Sequence, residues 1–188
     1  IKYNAGNIQS VAFALKRLGI EPIITDNKEE LLKADKVIFP GVGEASTTMN
    51  YLKQHQLDVL IKDLTQPVLG ICLGLQLMCA HSEEGDVACL NIFSNKVKKF
   101  EPLLKVPHMG WNKITALQSN LFNASLENEH VYFVHSFYAE IGDKTIATCN
   151  YINDFSAALH KDNFYATQFH PEKSGPIGEK ILSNFLAI

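Results

Sequence analysis

Three observations predict an α/β fold for this chain of 188 residues. Strand-like and helix-like segments alternate from the start of the chain to Cys79. The short apolar runs end in turn residues. From Cys89 to about Tyr151 the rhythm changes to short strands and turns. Alternating βα units imply an open, mostly parallel sheet with helices on both faces, and the later stretch implies an antiparallel extension. With no internal repeat, low-complexity segment or linker, residues 1–188 are expected to form a single domain.

In chain order, Ile1-Lys2-Tyr3 reads as the end of a strand. With Ile rather than Met in first position, a short N-terminal piece is expected to be missing. Asn7 is placed to cap a helix whose apolar stripe is Ile8, Val11, Ala12, Leu15 and Leu18, with Gly19 as its stop. Pro22 to Thr25 reads as a short buried strand. Asn27 and Glu30 have capping-box spacing ahead of Leu31 and Leu32. Val37-Ile38-Phe39 is an apolar strand that runs into Pro40-Gly41-Val42-Gly43. A polar, helix-like stretch from Glu44 to Asp63 leads to the strand Pro67 to Ile71, and a helical pattern then continues through Met78 and Cys79. Tyr165 to Gln168 forms the last strand, and a helix covers about 177–185. Ligands of such sheets bind at the carboxyl ends of the strands, where both the Pro40–Gly43 turn and Cys72 fall.

Composition narrows the function. The chain is 46% hydrophobic and 20% charged, with a net charge of -3. A nucleic-acid groove needs a basic stripe, and the densest basic run, Lys96 to Lys99, reads as a solvated strand edge. No apolar run reaches the roughly 20 residues of a membrane span, and no signal peptide is evident, so a cytoplasmic location is expected. Of the four cysteines, Cys72 and Cys79 would lie about 10 Å apart on one helix, beyond disulfide reach. Neither C-x-x-C nor H-E-x-x-H occurs, so no metal site is expected.

Gly70-Ile71-Cys72-Leu73-Gly74 is a G-x-C-x-G, the thiol counterpart of the nucleophile elbow. Free cysteine is usually a small buried apolar residue, and without the glycine bracket Cys72 would be read that way, as Cys79, Cys89 and Cys149 are. Its position at a helix start, beside an imidazolium, would favour the reactive thiolate. Gln168-Phe169-His170-Pro171-Glu172 supplies a base and its orienter: in an extended segment His170 and Glu172 point the same way, so the carboxylate can hold one ring nitrogen while the other faces the thiol. His55, His81, His130 and His160 sit among polar residues and read as surface side chains. Acyl transfer from an amide also needs oxyanion donors. The Leu73 N–H is one candidate, and the Val42–Gly43 turn, with glycines on both sides of Val42, is the other.

Together these motifs resemble the triad-type, class I glutamine amidotransferases over nearly the whole chain. The further stretches Tyr3 to Ser10, Pro107-His108-Met109-Gly110-Trp111-Asn112, Val134-His135-Ser136-Phe137-Tyr138 and Pro171-Glu172-Lys173-Ser174 are similar to the branch serving imidazole glycerol phosphate synthase in histidine biosynthesis. The resemblance implies a glutaminase with the triad Cys72, His170 and Glu172 and no cofactor. It implies a glutamine pocket lined by Gly43, Gln76, His135, Ser136 and Phe137. It further implies a heterodimer with a (β/α)₈ cyclase that receives the ammonia, with Asn7, Trp111, Tyr132 and Lys173 at the interface. Lys2-Tyr3 departs from the Asp-Tyr that many relatives carry. The alternatives are a glutaminase subunit of another class I amidotransferase, a free-standing glutamyl hydrolase, and a catalytically inactive scaffold of the same fold.

Overall fold

The computed structural model describes residues 1–3 and 7–188; Asn4, Ala5 and Gly6, which carry part of the resemblance, lie outside the described residues. The elements run α1 (Ile8–Arg17), α2 (Lys28–Lys33), β1 (Val37–Gly41), α3 (Ala45–Gln54), α4 (Leu57–Asp63), β2 (Val68–Cys72), α5 (Leu73–Met78), β3 (His81–Ser82), β4 (Val87–Ala88), β5 (Lys96–Lys99), β6 (His108–Lys113), β7 (His130–His135), β8 (Phe137–Ala139), β9 (Thr145–Tyr151), β10 (Asn153–Lys161), β11 (Phe164–Thr167) and α6 (Gly175–Ala187).

The main sheet has the order β1-β2-β11-β10-β9. β1, β2 and β11 are parallel, and β10 and β9 continue the sheet antiparallel. β2 is buried at every position, as a strand covered on both faces must be. Its side chains alternate between two cores. Val68 joins the cluster built with α3, α4 and α5, through Met49, Leu52, Ile61 and Leu75. Leu69 and Ile71 join the opposite cluster, built with α1 and α6 through Val11, Leu15, Leu182 and Phe185. Helices therefore cover both faces, and the carboxyl ends of β1 and β2 emerge side by side, with Gly41 opposite Cys72. A second sheet, β4-β3-β5-β8, and the hairpin β6-β7 make up the antiparallel extension.

Several local expectations change. Asn7 precedes α1 in a left-handed conformation and makes no side-chain cap bond; its amide is engaged elsewhere, as described below. Pro22 to Thr25 is neither a strand nor buried. Ile23 is 78% exposed, and the Lys2 N–H donates to the Thr25 carbonyl. Among the described residues no strand pairs with this run in register, so it has no ladder to join. Asn27 caps α2 through the N–H groups of Glu29 and Glu30, but its own N–H goes to Thr25 Oγ1, so Glu30 does not close the capping box. The polar stretch 44–63 breaks into two helices at Gln56, which turns through φ 55°. α5 stops at Met78, leaving Cys79 as its cap. β5, which carries the lysine run, is an inner strand rather than an edge. Its Val97 is buried, while Lys96 and Lys99 stay in solvent.

The glycine bracket around Cys72 has a steric cause. A Cβ on Gly74 would lie 2.0 Å from the Phe39 carbonyl oxygen, and one on Gly70 would lie 2.9 Å from Met78 Sδ. α5 can pack this closely on β1 only where residue 74 has no side chain. We expect Gly74→Ala to lower unfolding stability by about 3 kcal/mol or more, measured by denaturant titration; an unchanged midpoint would show that β1 and α5 can separate freely.

Candidate active site

Cys72 closes β2 and opens into α5 with φ 54° and ψ -106°, a backbone conformation that costs a non-glycine residue on the order of 1–3 kcal/mol. The surrounding packing over-determines it: β1 and β11 flank β2 on either side, and Gly70 and Gly74 admit the turn. Cys72 is buried, with its thiol directed to the Val134 carbonyl at 3.9 Å and the Gln168 Nε2 at 3.8 Å.

His170 follows β11 two residues after Gln168. Its Nδ1 lies 2.7 Å from Glu172 Oε1, and both side chains are almost fully buried. The route to that pairing differs from the expectation. Residues Pro171–Lys173 form a 3₁₀ turn rather than an extended segment. The turn is clamped to β7: the His170 N–H donates to the Tyr132 carbonyl, the Tyr132 N–H donates to Ser174 Oγ, and Ser174 Oγ donates to the His170 carbonyl. Ser174 belongs to a motif noted in the sequence, but its role in this clamp was not anticipated. Asn7 Nδ2 donates to Glu172 Oε1 and lies 3.4 Å from His170 Nδ1, so a residue expected as a helix cap and at an interface braces the acid instead of the helix.

Because the Glu172 carboxylate accepts from Nδ1–H, the proton-exchanging nitrogen of His170 is Nε2. It is buried with no hydrogen-bond partner among the described residues. Burial alone would disfavour the imidazolium. The negative charge of the nearby Cys72 sulfur, and then the hydrogen bond and charge of Glu172, outweigh it and raise the ring from 6.5 to about 10. Cys149, Cys89 and Cys79 are held protonated: burial pushes Cys149 up to about 12 and Cys89 to about 11, and Cys79 upward as well.

A cavity of ≈ 270 Å³ opens beside the thiol. Its lining brings together the residues expected at the oxyanion and glutamine positions: Val42, Gly43, Leu73, Gln76, His135, Ser136 and Phe137. Val134 and Glu84 are also there. No motif marked Glu84, although it is the single carboxylate on the wall. Its Oε2 accepts the Ala45 N–H at 2.9 Å. A larger cavity of ≈ 400 Å³ lies near Ile24, Ile38 and Phe185, but among the described residues its lining contains no cysteine, serine, threonine or histidine. The two glycines flanking Val42 do different work. Gly43 has φ 128° and open space around it, which suits a mobile peptide, whereas Gly41 is locked in β1, where a Cβ would sit 2.4 Å from the Tyr3 hydroxyl.

His135 and His108 are fully absorbed by the structure. His135 Nδ1 donates to the Phe137 carbonyl at 2.7 Å, and its Nε2 lies 3.1 Å from His108 Nδ1. Burial holds His108 down to about 4 and His135 to about 3, so both rings are neutral. Outside this layer, Trp111 is 56% exposed. It packs edge-on against Tyr132, which in turn lies 6.0 Å beneath the Lys173 ammonium. Asn7, Trp111, Tyr132 and Lys173 therefore occupy neighbouring positions around the hairpin β6-β7 and the His170–Ser174 turn. Among the described residues no group of three or more His, Cys, Asp or Glu is placed to hold a metal ion, and no helix is long and apolar enough to cross a membrane.

An open α/β sheet with a cysteine elbow, a buried His–Glu pair and a peptide-lined cavity is the arrangement of the amidotransferase class. The chain belongs to that class by direct comparison: the family model "Glutamine amidotransferase class-I" matches residues 1–188. Among individual proteins, it is 67% identical to the imidazole glycerol phosphate synthase subunit HisH of Bacteroides thetaiotaomicron, covering 99% of this chain and 96% of that protein. It is 45% identical to the subunit of the same name from Idiomarina loihiensis, covering 97% and 93%. Of the solved structures, a glutamine amidotransferase superposes with a TM-score of 0.75 at 18% identity, covering 97% of this chain and 94% of that one. The glutaminase domain of a Trypanosoma brucei CTPS superposes at 0.58 with 15% identity, covering 97% and 92%. These two establish shared fold only.

For the elevated His170 value the direction is set by its partners. A group whose pKa rises on folding adds stability in full below its unfolded value of 6.5 and loses that contribution as pH climbs toward 10. We expect ¹⁵N NMR to find the His170 ring protonated through pH 8, with its titration midpoint falling sharply in Cys72→Ala, where burial is opposed by Glu172 alone. A midpoint unmoved by removing the sulfur would contradict this account.

Proposed function

We propose that this chain is the glutaminase subunit of a heteromeric imidazole glycerol phosphate synthase, with residues 1–188 acting as a single amidotransferase domain. The observation that carries the reading is one cavity in which the Cys72 thiol meets the backbone of both Val42–Gly43 and Val134–Phe137, with the buried His170–Glu172 pair near enough for the sulfur to raise the imidazole. The 67% identical relative named for that synthase supports the specific assignment.

The chemistry follows from the charges. The Cys72 thiolate attacks the side-chain amide carbon of glutamine, and the Leu73 N–H together with a donor from the Val42–Gly43 peptide receives the oxyanion. The His170 imidazolium gives its Nε2 proton to the departing nitrogen, which leaves as ammonia, and a thioester to Cys72 remains. The neutral ring then takes a proton from water as the water attacks the thioester. Glutamate forms and the sulfur departs as thiolate. Glu172 holds Nδ1 throughout. Glu84 is suited to the α-ammonium of glutamine, as the one carboxylate on the cavity wall.

Ammonia released into neutral water would be protonated and lose its nucleophilicity, so the reaction suits a docked acceptor. The partner in this reading is a (β/α)₈ cyclase, seated on the face that presents Asn7, Trp111, Tyr132 and Lys173, with the complex in the cytoplasm. Docking would also complete the oxyanion hole by turning the Val42–Gly43 peptide inward; one missing donor costs about 10²–10³ in rate.

Two outcomes check the assignment. In the complex with the cyclase, Cys72→Ala should abolish glutamine-dependent synthesis while leaving ammonia-dependent synthesis within about twofold; glutamine-dependent synthesis that survives the substitution would point to a scaffold rather than a catalyst. Glu84→Gln should raise KM for glutamine about tenfold with little change in kcat, the pattern of an interaction made equally in ground and transition states. A selective fall in kcat would instead place Glu84 in the chemistry.

A further inference from the structure

Gln168 belongs to none of the roles described so far, yet it is fully buried against the reacting sulfur. Its backbone is fixed to β10 by its N–H, which donates to the Ala157 carbonyl. Its side chain sits behind Cys72, away from the cavity lining, and ends in an amide with two chemically opposite faces.

The structure dictates which face meets the sulfur. The Phe137 carbonyl can only accept a hydrogen bond. It receives Gln76 Nε2 at 2.9 Å and His135 Nδ1 at 2.7 Å. Gln76 must therefore present its NH₂ group inward, and its second N–H, 3.2 Å from Gln168, requires an acceptor. That acceptor is Gln168 Oε1, which leaves Gln168 Nε2 to face Cys72 Sγ at 3.8 Å. The opposite amide orientation would set two NH₂ groups against each other and aim oxygen lone pairs at a thiolate. The same polarity is buttressed from the other side, because His108 Nδ1 donates to His135 Nε2, while Asn112 Nδ2 lies 3.3 Å from His108 Nε2.

We infer that Gln168 is a further catalytic residue, whose side-chain N–H donates to Cys72 Sγ when the sulfur is a thiolate. The neutral thiol has an acceptor in the Val134 carbonyl, but on losing its proton the sulfur is left facing that oxygen dipole. The Gln168 N–H then supplies the compensating contact. It also receives the sulfur when the thioester breaks and thiolate is regenerated. This inference rests on Cys72 being the nucleophile.

The test compares Gln168→Met, which keeps the volume and removes the donor, with the wild type. Both are treated with 2-chloroacetamide at neutral pH, and each cysteine is followed by mass spectrometry. We expect Cys72 alkylation and kcat each to fall about tenfold, in line with loss of a hydrogen bond to a charged group, while KM for glutamine stays within about twofold. If wild-type Cys72 reacts no faster than Cys89, the nucleophile reading itself fails. If wild-type Cys72 reacts selectively and the folded Met variant matches it in rate and kcat, the role of Gln168 fails. Should the Met variant not fold, the wild-type chain answers directly: the Gln168 side-chain amide protons, seen by NMR, should shift when Cys72 is alkylated. Unmoved resonances would overturn the assignment.

Discussion

Cys72 holds its left-handed backbone because β2 must hand over to α5 within a single residue while α5 lies against β1. The distance available there is set by backbone meeting backbone at Gly74 and Phe39. Everything at the site inherits from that contact. It places the thiol on the cavity wall at the edge of the core. It also brings the Leu73 N–H next to the sulfur and places the Pro40–Gly43 turn beside it, because β1 pairs with β2 in a register that sets Gly41 opposite Cys72. A relaxed turn would return the cysteine to the fate of most free thiols, burial as a small apolar side chain.

Electrostatics at the site is a contest between burial and partnership. Three cysteines, Cys79, Cys89 and Cys149, and three histidines, His108, His135 and His170, are held largely out of water, and solvent exclusion acts on all six in the same sense, against charge. It wins at Cys79, Cys89, Cys149, His108 and His135. It loses at His170, which has a carboxylate on one nitrogen and a sulfur near the other. A buried ion pair of this kind adds little to folding stability in general, and its value here lies in holding a proton donor and a nucleophile together away from water.

The hairpin β6-β7 faces two ways. Its inner side chains, His108 and His135, build the hydrogen-bonded wall that ends at the Phe137 carbonyl, while its outer ones, Met109 and Trp111, lie open at 57% and 56% exposure. Met109 pairs in register with Val134, whose carbonyl accepts the Cys72 thiol. One strand pair thus separates the nucleophile from the exposed apolar face by a single layer.

The periodicity of apolar runs was enough to determine the α/β class, the covered sheet and the antiparallel extension, since burial on two faces leaves a mark in residue type. The spacing of Gly70, Cys72 and Gly74, and of His170 and Glu172, was equally legible, because steric exclusion and side-chain reach act over a few residues of chain. The failures at Pro22–Thr25 and in the lysine run came from partners: whether an apolar stretch pairs, or whether a strand is inner or edge, depends on segments far away in sequence. For the same reason only the tertiary structure decided that Asn7 braces Glu172 instead of capping its helix, that Glu84 joins the cavity wall, and that Gln168 turns its N–H toward the sulfur. Each of those choices is made by a group between about 40 and 165 residues distant along the chain, and an amide shows no preference for a face until an obligate acceptor such as the Phe137 carbonyl imposes one.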